Sequence, residues 1–431
     1  MSSSRMLLAA ALTCAGLIIG GAGASAAGFF LNEQSVTASG RAFAGVSAAT
    51  DDAGIIAYNP AGMTELGSAR AGIGGYAIIP HAVINDTGSS LMIGPFGPYP
   101  VAGDSEGQGF RAQPTGYFYA AIPLSSDLWM GMAVTAPFGL KARYSTDFFG
   151  RYDSIKSSLV VVQIAPSVAY RVNDYVSVGA SINIQRADAT LTTALPNPLD
   201  PMGPNPASDG LLTVKGNDWS TGFSVGLHVR PTDMLDLGVT YRSGVTHTLS
   251  GTSTTDFGGM QTSMGASARV RLPDIVSAGL AFRALDNVTL LAEVSHFGWK
   301  RFRELRLVFE DSSESATTEN FRNTWAITGG AEVAVGSLLN VRAGLEYDQT
   351  PTVDAHRSTR IPDTDRLWLT AGLSYLLSDR WRVDASYAHL ISKSAPLNRI
   401  DDFPALSTTV TTLATTETSS NVLGLGLQAR F

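Results

Sequence analysis

The chain has 431 residues, of which only 16% are Asp, Glu, Lys or Arg, against about 25% in a soluble globular protein; 44% are apolar and 44 are glycine. A net charge of -7 gives nucleic acid no electrostatic hold, and beyond residue 26 no apolar run approaches the ~20 residues of a membrane helix. These figures disfavour a helical membrane protein, a nucleic-acid binder and a disordered chain, and leave a large soluble α/β protein or a membrane β-barrel.

Residues 1–26 carry Arg5, an apolar stretch and the small-x-small sequence Ala24-Ser25-Ala26, the pattern of a cleaved secretory signal. Cys14, the single cysteine, lies inside that stretch and is expected to leave with it. The exported protein then has no disulfide, thiolate nucleophile or cysteine metal ligand. Residues 27–67 are rich in Gly and Ala, with short apolar pieces at Phe29-Phe30-Leu31 and Ile55-Ile56. About forty residues are too few to bury a core of their own without disulfides, so this segment is expected to fold against the rest, as a small hatch inside a barrel lumen. Within it, Pro60 lacks an N–H and biases Asn59 away from α, which gives Asn59-Pro60-Ala61 a fixed turn.

From residue 68 to 431 the apolar residues alternate with polar or small ones. Val176, Val178, Ala180, Ile182 and Ile184 oppose Ser177, Gly179, Ser181, Asn183 and Gln185, and the same period recurs from Asp233, Val341 and Trp381. One face suits lipid and the other a polar lumen. Strands are read at 69–80, 111–123, 127–138, 157–172, 174–191, 215–230, 233–249, 263–284, 286–309, 321–336, 338–350, 365–377, 380–393 and 419–431. Short connections such as Asn173-Asp174, Asp286-Asn287 and Ser378-Asp379 alternate with long ones at 81–110, 139–156, 192–214, 250–262, 310–320, 351–364 and 394–418. Fourteen strands, with short turns on one side and long loops on the other, are the asymmetry of an outer-membrane barrel. Pro166 and Pro273 each imply a kink or bulge. Trp129, Tyr175, Trp219, Trp381 and Phe431 are placed for interfacial girdles. The Pro-rich 192–214 reads as an ordered external loop, and the Ser/Thr-rich 394–418 as a mobile one. The expected fold is therefore all-β: a transmembrane barrel of fourteen antiparallel strands plugged by the hatch.

Particular residues carry a resemblance. They are Ala27-Gly28-Phe29 with Asn32-Glu33-Gln34-Ser35, Gly40 to Gly45, Asp51-Asp52-Ala53, Asn59-Pro60-Ala61-Gly62-Met63, Ala136-Pro137-Phe138-Gly139-Leu140 and the late stretches around Arg342 and Arg360. Dispersed over the whole exported chain, they make it similar to the FadL-type long-chain fatty acid and hydrocarbon transporters of the Gram-negative outer membrane. The resemblance implies a hatch plugging the barrel, an inward kink of a wall strand that makes a lateral opening, and a substrate pocket near the hatch N-terminus. It places Ala27, Gly28, Phe29, Phe30 and Leu31 at that pocket and Asn59, Pro60 and Ala61 in the hatch turn.

The function expected is passive, ligand-gated uptake of hydrophobic compounds at the outer membrane, with long-chain fatty acids first and alkanes or aromatic hydrocarbons as the alternative. A carboxylate cargo calls for a cation, and Arg242, Arg342, Arg357, Arg360 and Arg366 are the candidates. A general porin for polar solutes is a further alternative, as is a barrel lipase or protease. The six histidines, however, sit beside no serine in any readable motif. No catalytic residue, metal or cofactor is expected. The partners expected are the hydrophobic solute and the outer-membrane lipid and lipopolysaccharide around a monomer, with no nucleic acid.

Overall fold

The computed structural model describes residues 28–431, so the signal sequence and Ala27 lie outside the described residues. The wall strands are β1 (Arg70–Asp86), β2 (Gln113–Pro123), β3 (Leu128–Arg143), β4 (Lys156–Arg171), β5 (Val176–Leu195), β6 (Gly210–Thr232) and β7 (Leu235–Arg242). They continue as β8 (Ile275–Leu285), β9 (Val288–Phe297), β10 (Thr324–Val335), β11 (Leu339–Asp348), β12 (Arg366–Leu376), β13 (Trp381–Ser392) and β14 (Thr408–Arg430). Each pairs antiparallel with its neighbours, and β1 closes the ring by pairing with β14 from Arg70↔Arg430 to Asp86↔Ala414. Closure satisfies backbone groups that lipid could not. Among the described residues no helix is long and apolar enough to cross a membrane; the chain crosses with strands.

The alternation seen in the sequence is the inside–outside alternation of the barrel. Leu237, Val239 and Tyr241 are exposed to the outside while Asp236, Thr240 and Arg242 are buried, and on β11 Val341, Leu345 and Tyr347 oppose Arg342, Glu346 and Asp348 in the same way. Tyr175, Trp219, Trp381 and Phe431 are exposed as girdle residues should be. Trp129 is not: it is buried against the lumen core, because its register on β3 points inward.

Two stretches read as loops, 250–262 and 394–418, are largely strand. Residues 246–271 form a hairpin, Thr246–Phe257 with Met260–Arg271, that turns at Gly258-Gly259 and extends the wall between β6 and the strand Glu304–Phe309. Ala395–Phe403 pairs with the Thr-rich first half of β14, where β-branched threonines fit a pleated surface better than a mobile loop. The long strand read at 286–309 ends at Phe297, makes one 3-10 turn at Trp299–Arg301, and resumes as an external hairpin, Glu304–Phe309 with Glu314–Thr318.

The expected kinks divide. Pro273 does interrupt the chain between Met260–Arg271 and β8. At Pro166 the β4–β5 register continues unchanged, from Ile164↔Ile184 to Ser167↔Ser181. The register shift falls instead on β3, between Thr135 and Phe138. From Phe118↔Val134 outward no ladder pair joins β2 to β3.

Candidate functional site at the N-terminal segment

Residues 28–66 lie inside the ring. Two short helices, α1 (Val36–Ser39) and α2 (Ile55–Tyr58), and a 3-10 turn at Pro60–Glu65 are almost wholly buried. Ser35 caps α1 through its hydroxyl, which accepts from the Ala38 N–H (3.2 Å) and donates to Asp52 (2.6 Å). Asn59 does more. Its amide donates to the Ser47 carbonyl (2.7 Å) and to Leu227 O on β6 (3.0 Å), and its oxygen accepts from the Ala61 N–H (3.1 Å). The turn predicted from Pro60 thus rests on the paired strands β5 and β6, not on a free strand edge.

The wall makes room with glycine. A methyl group on Gly131, Gly179, Gly226, Gly238, Gly330, Gly344 or Gly372 would come within 2.8 Å of Met63, Ala61, Asn59, Ser47, Arg41 or Gly40. These glycines come from seven different wall strands, so the segment touches the barrel nearly all the way round. Charge completes the docking at the short-turn end. Arg41 pairs with Asp51 (3.0 Å) and with Glu332 (3.2 Å) of β10, and Glu65 pairs with Arg171 (3.2 Å) and Arg230 (2.6 Å). Burial alone would raise the Asp51 carboxyl, but Arg41, Arg342 and Arg382 outweigh it and hold the group ionised, well below the usual carboxylate range.

The other end of the segment reaches upward. The Gly28 N–H donates to Asp363 (2.8 Å) in the 351–364 loop. Where β3 bends, the segment pairs with it. The Leu31 N–H donates to the Pro137 carbonyl and the Gly139 N–H to the Phe29 carbonyl, each at 2.9 Å. The wall strand leaves its neighbour β2 and takes the N-terminal segment as partner instead. Pro137 carried the signal for this bend, since a proline inside a strand-like stretch cannot hold the ladder.

Phe29 and Phe30 stand between two cavities. Phe29 meets Trp299 edge-on (4.8 Å between centroids) and Phe302 (5.6 Å), and it floors an upper cavity. That cavity is lined by Leu140, Leu159, Leu191, Val214, Leu249, Val270, Leu305, Leu307 and Ile361, and its charged lining is Lys215 of β6 with Glu319 and Arg360 from the external loops. Leu191, Val214, Leu305, Leu307 and Arg360 also border a wide vestibule open to the outside. Phe30 packs on Phe138 (5.4 Å) and Phe297 (5.2 Å) and lines a lower cavity with Asn32, Phe43, Tyr58, Arg242, Glu293 and Glu346.

The five arginines scatter. Arg342 lies at the short-turn end, paired with Glu332 (2.8 Å) and Asp51 (3.4 Å). Arg366 is held by Asp348 (3.0 Å) and Asp363 (3.2 Å), and Arg357 by Asp354 (2.8 Å). Arg360 borders the upper cavity but already bonds Asp153. Arg242 borders the lower cavity, lies over the Phe138 ring (5.9 Å) and donates to Gln163; among the described residues no acid pairs with it. Sequence reasoning missed Trp299, Phe302 and Glu319. The last is buried, and burial pushes its carboxyl up to about 8, with Arg399 pulling the other way. No pattern in the sequence marks it, because it faces the cavity only through the fold of an external loop. No group of His, Cys, Asp and Glu that could hold a metal occurs among the described residues.

With this geometry in hand, the likeness to known proteins is specific. Residues 17–431 match the family described as outer membrane protein transport protein (OMPP1/FadL/TodX). The chain is 27% identical over 429 residues to a long-chain fatty acid transport protein of Escherichia coli, covering 90% of this chain and 92% of that one. It superposes on a Pseudomonas aeruginosa FadL homologue with a TM-score of 0.85 at 24% identity, over 94% and 100% of the two chains. It also superposes on the Ralstonia pickettii toluene transporter TbuX with a TM-score of 0.66 at 18% identity, over 91% and 98%. The chain belongs to the OMPP1/FadL/TodX family of outer-membrane transport proteins.

Proposed function

We propose that the protein takes up long-chain fatty acids by passive diffusion across the outer membrane, through the upper cavity and out sideways where β2 and β3 part. The observation that carries this reading is a largely apolar cavity against Phe29 whose lining also carries Lys215, Arg360 and a buried Glu319. Each buried CH₂ contributes roughly 0.8 kcal/mol, so a long tail binds without help and the harder step is release. Release is supplied by movement of residues 28–31, whose backbone is bonded to the bent part of β3. The tail lies in the apolar cavity. The head group meets Arg360 and the protonated Glu319 there, and Arg242 on the way down. Arg242 suits the second role because its charge is not already answered by an acid.

A second reading has its own support. Arg360 is already tied to Asp153, so the upper cavity suits a neutral alkane or arene as well. A general porin is disfavoured by a lumen that residues 28–66 fill.

The deciding experiment is uptake by cells deleted for their own transporter and carrying this gene, given radiolabelled oleate, hexadecane or toluene. Oleate accumulation above empty vector, reduced by Arg242→Gln, supports the fatty acid reading. Accumulation of hexadecane or toluene without oleate moves the assignment to hydrocarbons. No gain for any of the three removes the transport reading altogether.

A further inference from the structure

Above the lipid-facing band, one stretch of wall has two unlike sides. Ala266, Ala268 and Val270 of the strand Met260–Arg271, and Leu305 and Leu307 of Glu304–Phe309, line the upper cavity. By strand alternation their neighbours Arg269, Arg271 and Arg306 face outward. There, with Arg301 and Arg303 from the break after β9, they border an open groove on the outer surface. The two strands pair so that Arg269 stands directly opposite Arg306, an arrangement that repels unless an anion lies between. Arg306 is answered by Glu304 (2.7 Å) and by Glu314, and Arg301 more loosely by Asp274 (3.7 Å). Among the described residues no acid forms a salt bridge with Arg269, Arg271 or Arg303.

The height of the groove is set by the residues below it. A few positions on, Val276 of β8 is outward and 43% exposed, and at the same level His296 stacks edge-on with the exposed Trp325. Lipid-facing side chains and an interfacial tryptophan therefore end where the arginines begin, on the long-loop, external side of the barrel. This is the depth of the phosphates in an outer leaflet of lipopolysaccharide, and guanidinium groups bind phosphate oxygens in a paired, forked geometry.

We propose that Arg269, Arg271 and Arg303 form a binding site for the phosphate groups of lipopolysaccharide, which anchors the β7–β8 wall and its external hairpin against the outer leaflet. The inference rests on the outer-membrane location and not on the cargo.

The test uses the purified full-length protein in detergent and native mass spectrometry with deep-rough lipopolysaccharide. The same molecule after enzymatic dephosphorylation, phosphatidylglycerol and inorganic phosphate serve as comparisons. The triple variant Arg269→Gln/Arg271→Gln/Arg303→Gln is expected to bind phosphorylated lipopolysaccharide at least tenfold more weakly, while dephosphorylated material binds wild type and variant alike. Folding of the variant is checked by its heat-modifiable migration in gels. The lysine triple variant, which keeps the charge but not the fork, is expected to retain part of the affinity. Equal binding by wild type and the glutamine variant, or equal binding of dephosphorylated lipopolysaccharide by wild type, overturns the proposal. So does displacement by millimolar inorganic phosphate, or phosphatidylglycerol bound as tightly as lipopolysaccharide.

Discussion

Replacing Asn59 by alanine should loosen the lumen segment from the wall while leaving the wall intact. The side chain makes three hydrogen bonds, two within the segment and one to Leu227 O on β6, and it is fully buried. Each such bond contributes about 1 kcal/mol net, and stranding a buried partner costs ~1–3 kcal/mol. The Ala61 N–H, left without an acceptor, is the most costly loss, whereas carbonyls tolerate an unused lone pair better. The total is about 3 kcal/mol, which raises the undocked population roughly a hundredfold. Two measurements read this: single-channel conductance in planar bilayers, expected to show frequent openings that wild type lacks, and amide exchange, expected to speed up across 28–66 while β1 to β14 stay protected. Wild-type conductance together with wild-type exchange in the variant would mean that Asn59 does not hold the segment, and the docking argument fails.

The glycine contacts and the buried acid give further expectations. Gly238→Val pushes against the Ser47 backbone and should cost ~1–3 kcal/mol of thermal or denaturant stability, whereas Gly329→Val, with nothing within 4 Å of its new carbon, should be silent; equal effects from the two would refute the close-approach account. For Glu319 the folded carboxyl sits near 8 against 4.5 for the free group, raised by burial. Its contribution to stability is therefore fully present below about pH 4.5 and is lost as pH rises through about 8. Glu319→Gln should match wild type at low pH and exceed it near pH 9 in denaturant midpoint; parallel profiles would show that the acid is not held neutral.

Much of this fold is legible in the sequence. Side-chain period two is a local property of a strand, so the inward and outward faces of β5, β7, β11 and β13 could be read from residues a few positions apart. The even strand number and the short-turn side followed from connection lengths. The segment around Asn59-Pro60-Ala61 could be placed in the lumen because forty Gly- and Ala-rich residues have nothing of their own to fold around. The errors have a common cause. Trp129 points inward, 250–262 is the tip of a hairpin and 394–418 is mostly strand because each depends on what lies across the ladder or on the rim, which no local period records.

The site shows the same division. The resemblance implies Phe29 and Phe30 at the substrate pocket, and each borders a cavity. Which arginine lacks an acid, however, is a question of partners tens or hundreds of residues away: Asp51 and Glu332 neutralise Arg342 and Asp153 neutralises Arg360, while Arg242 donates to Gln163, lies over an aromatic face and has no acid paired with it among the described residues. The sequence by itself determined that low charge and interspersed apolar residues make a lipid-facing wall around a glycine-lined lumen. Only the tertiary structure decided that β3 leaves β2 beyond Val134 and pairs through Pro137 and Gly139 with Phe29 to Leu31. The physical reason is that hydrogen bonds across a ladder join residues more than a hundred positions apart, and their choice of partner is settled by closure of the barrel rather than by neighbours in the chain.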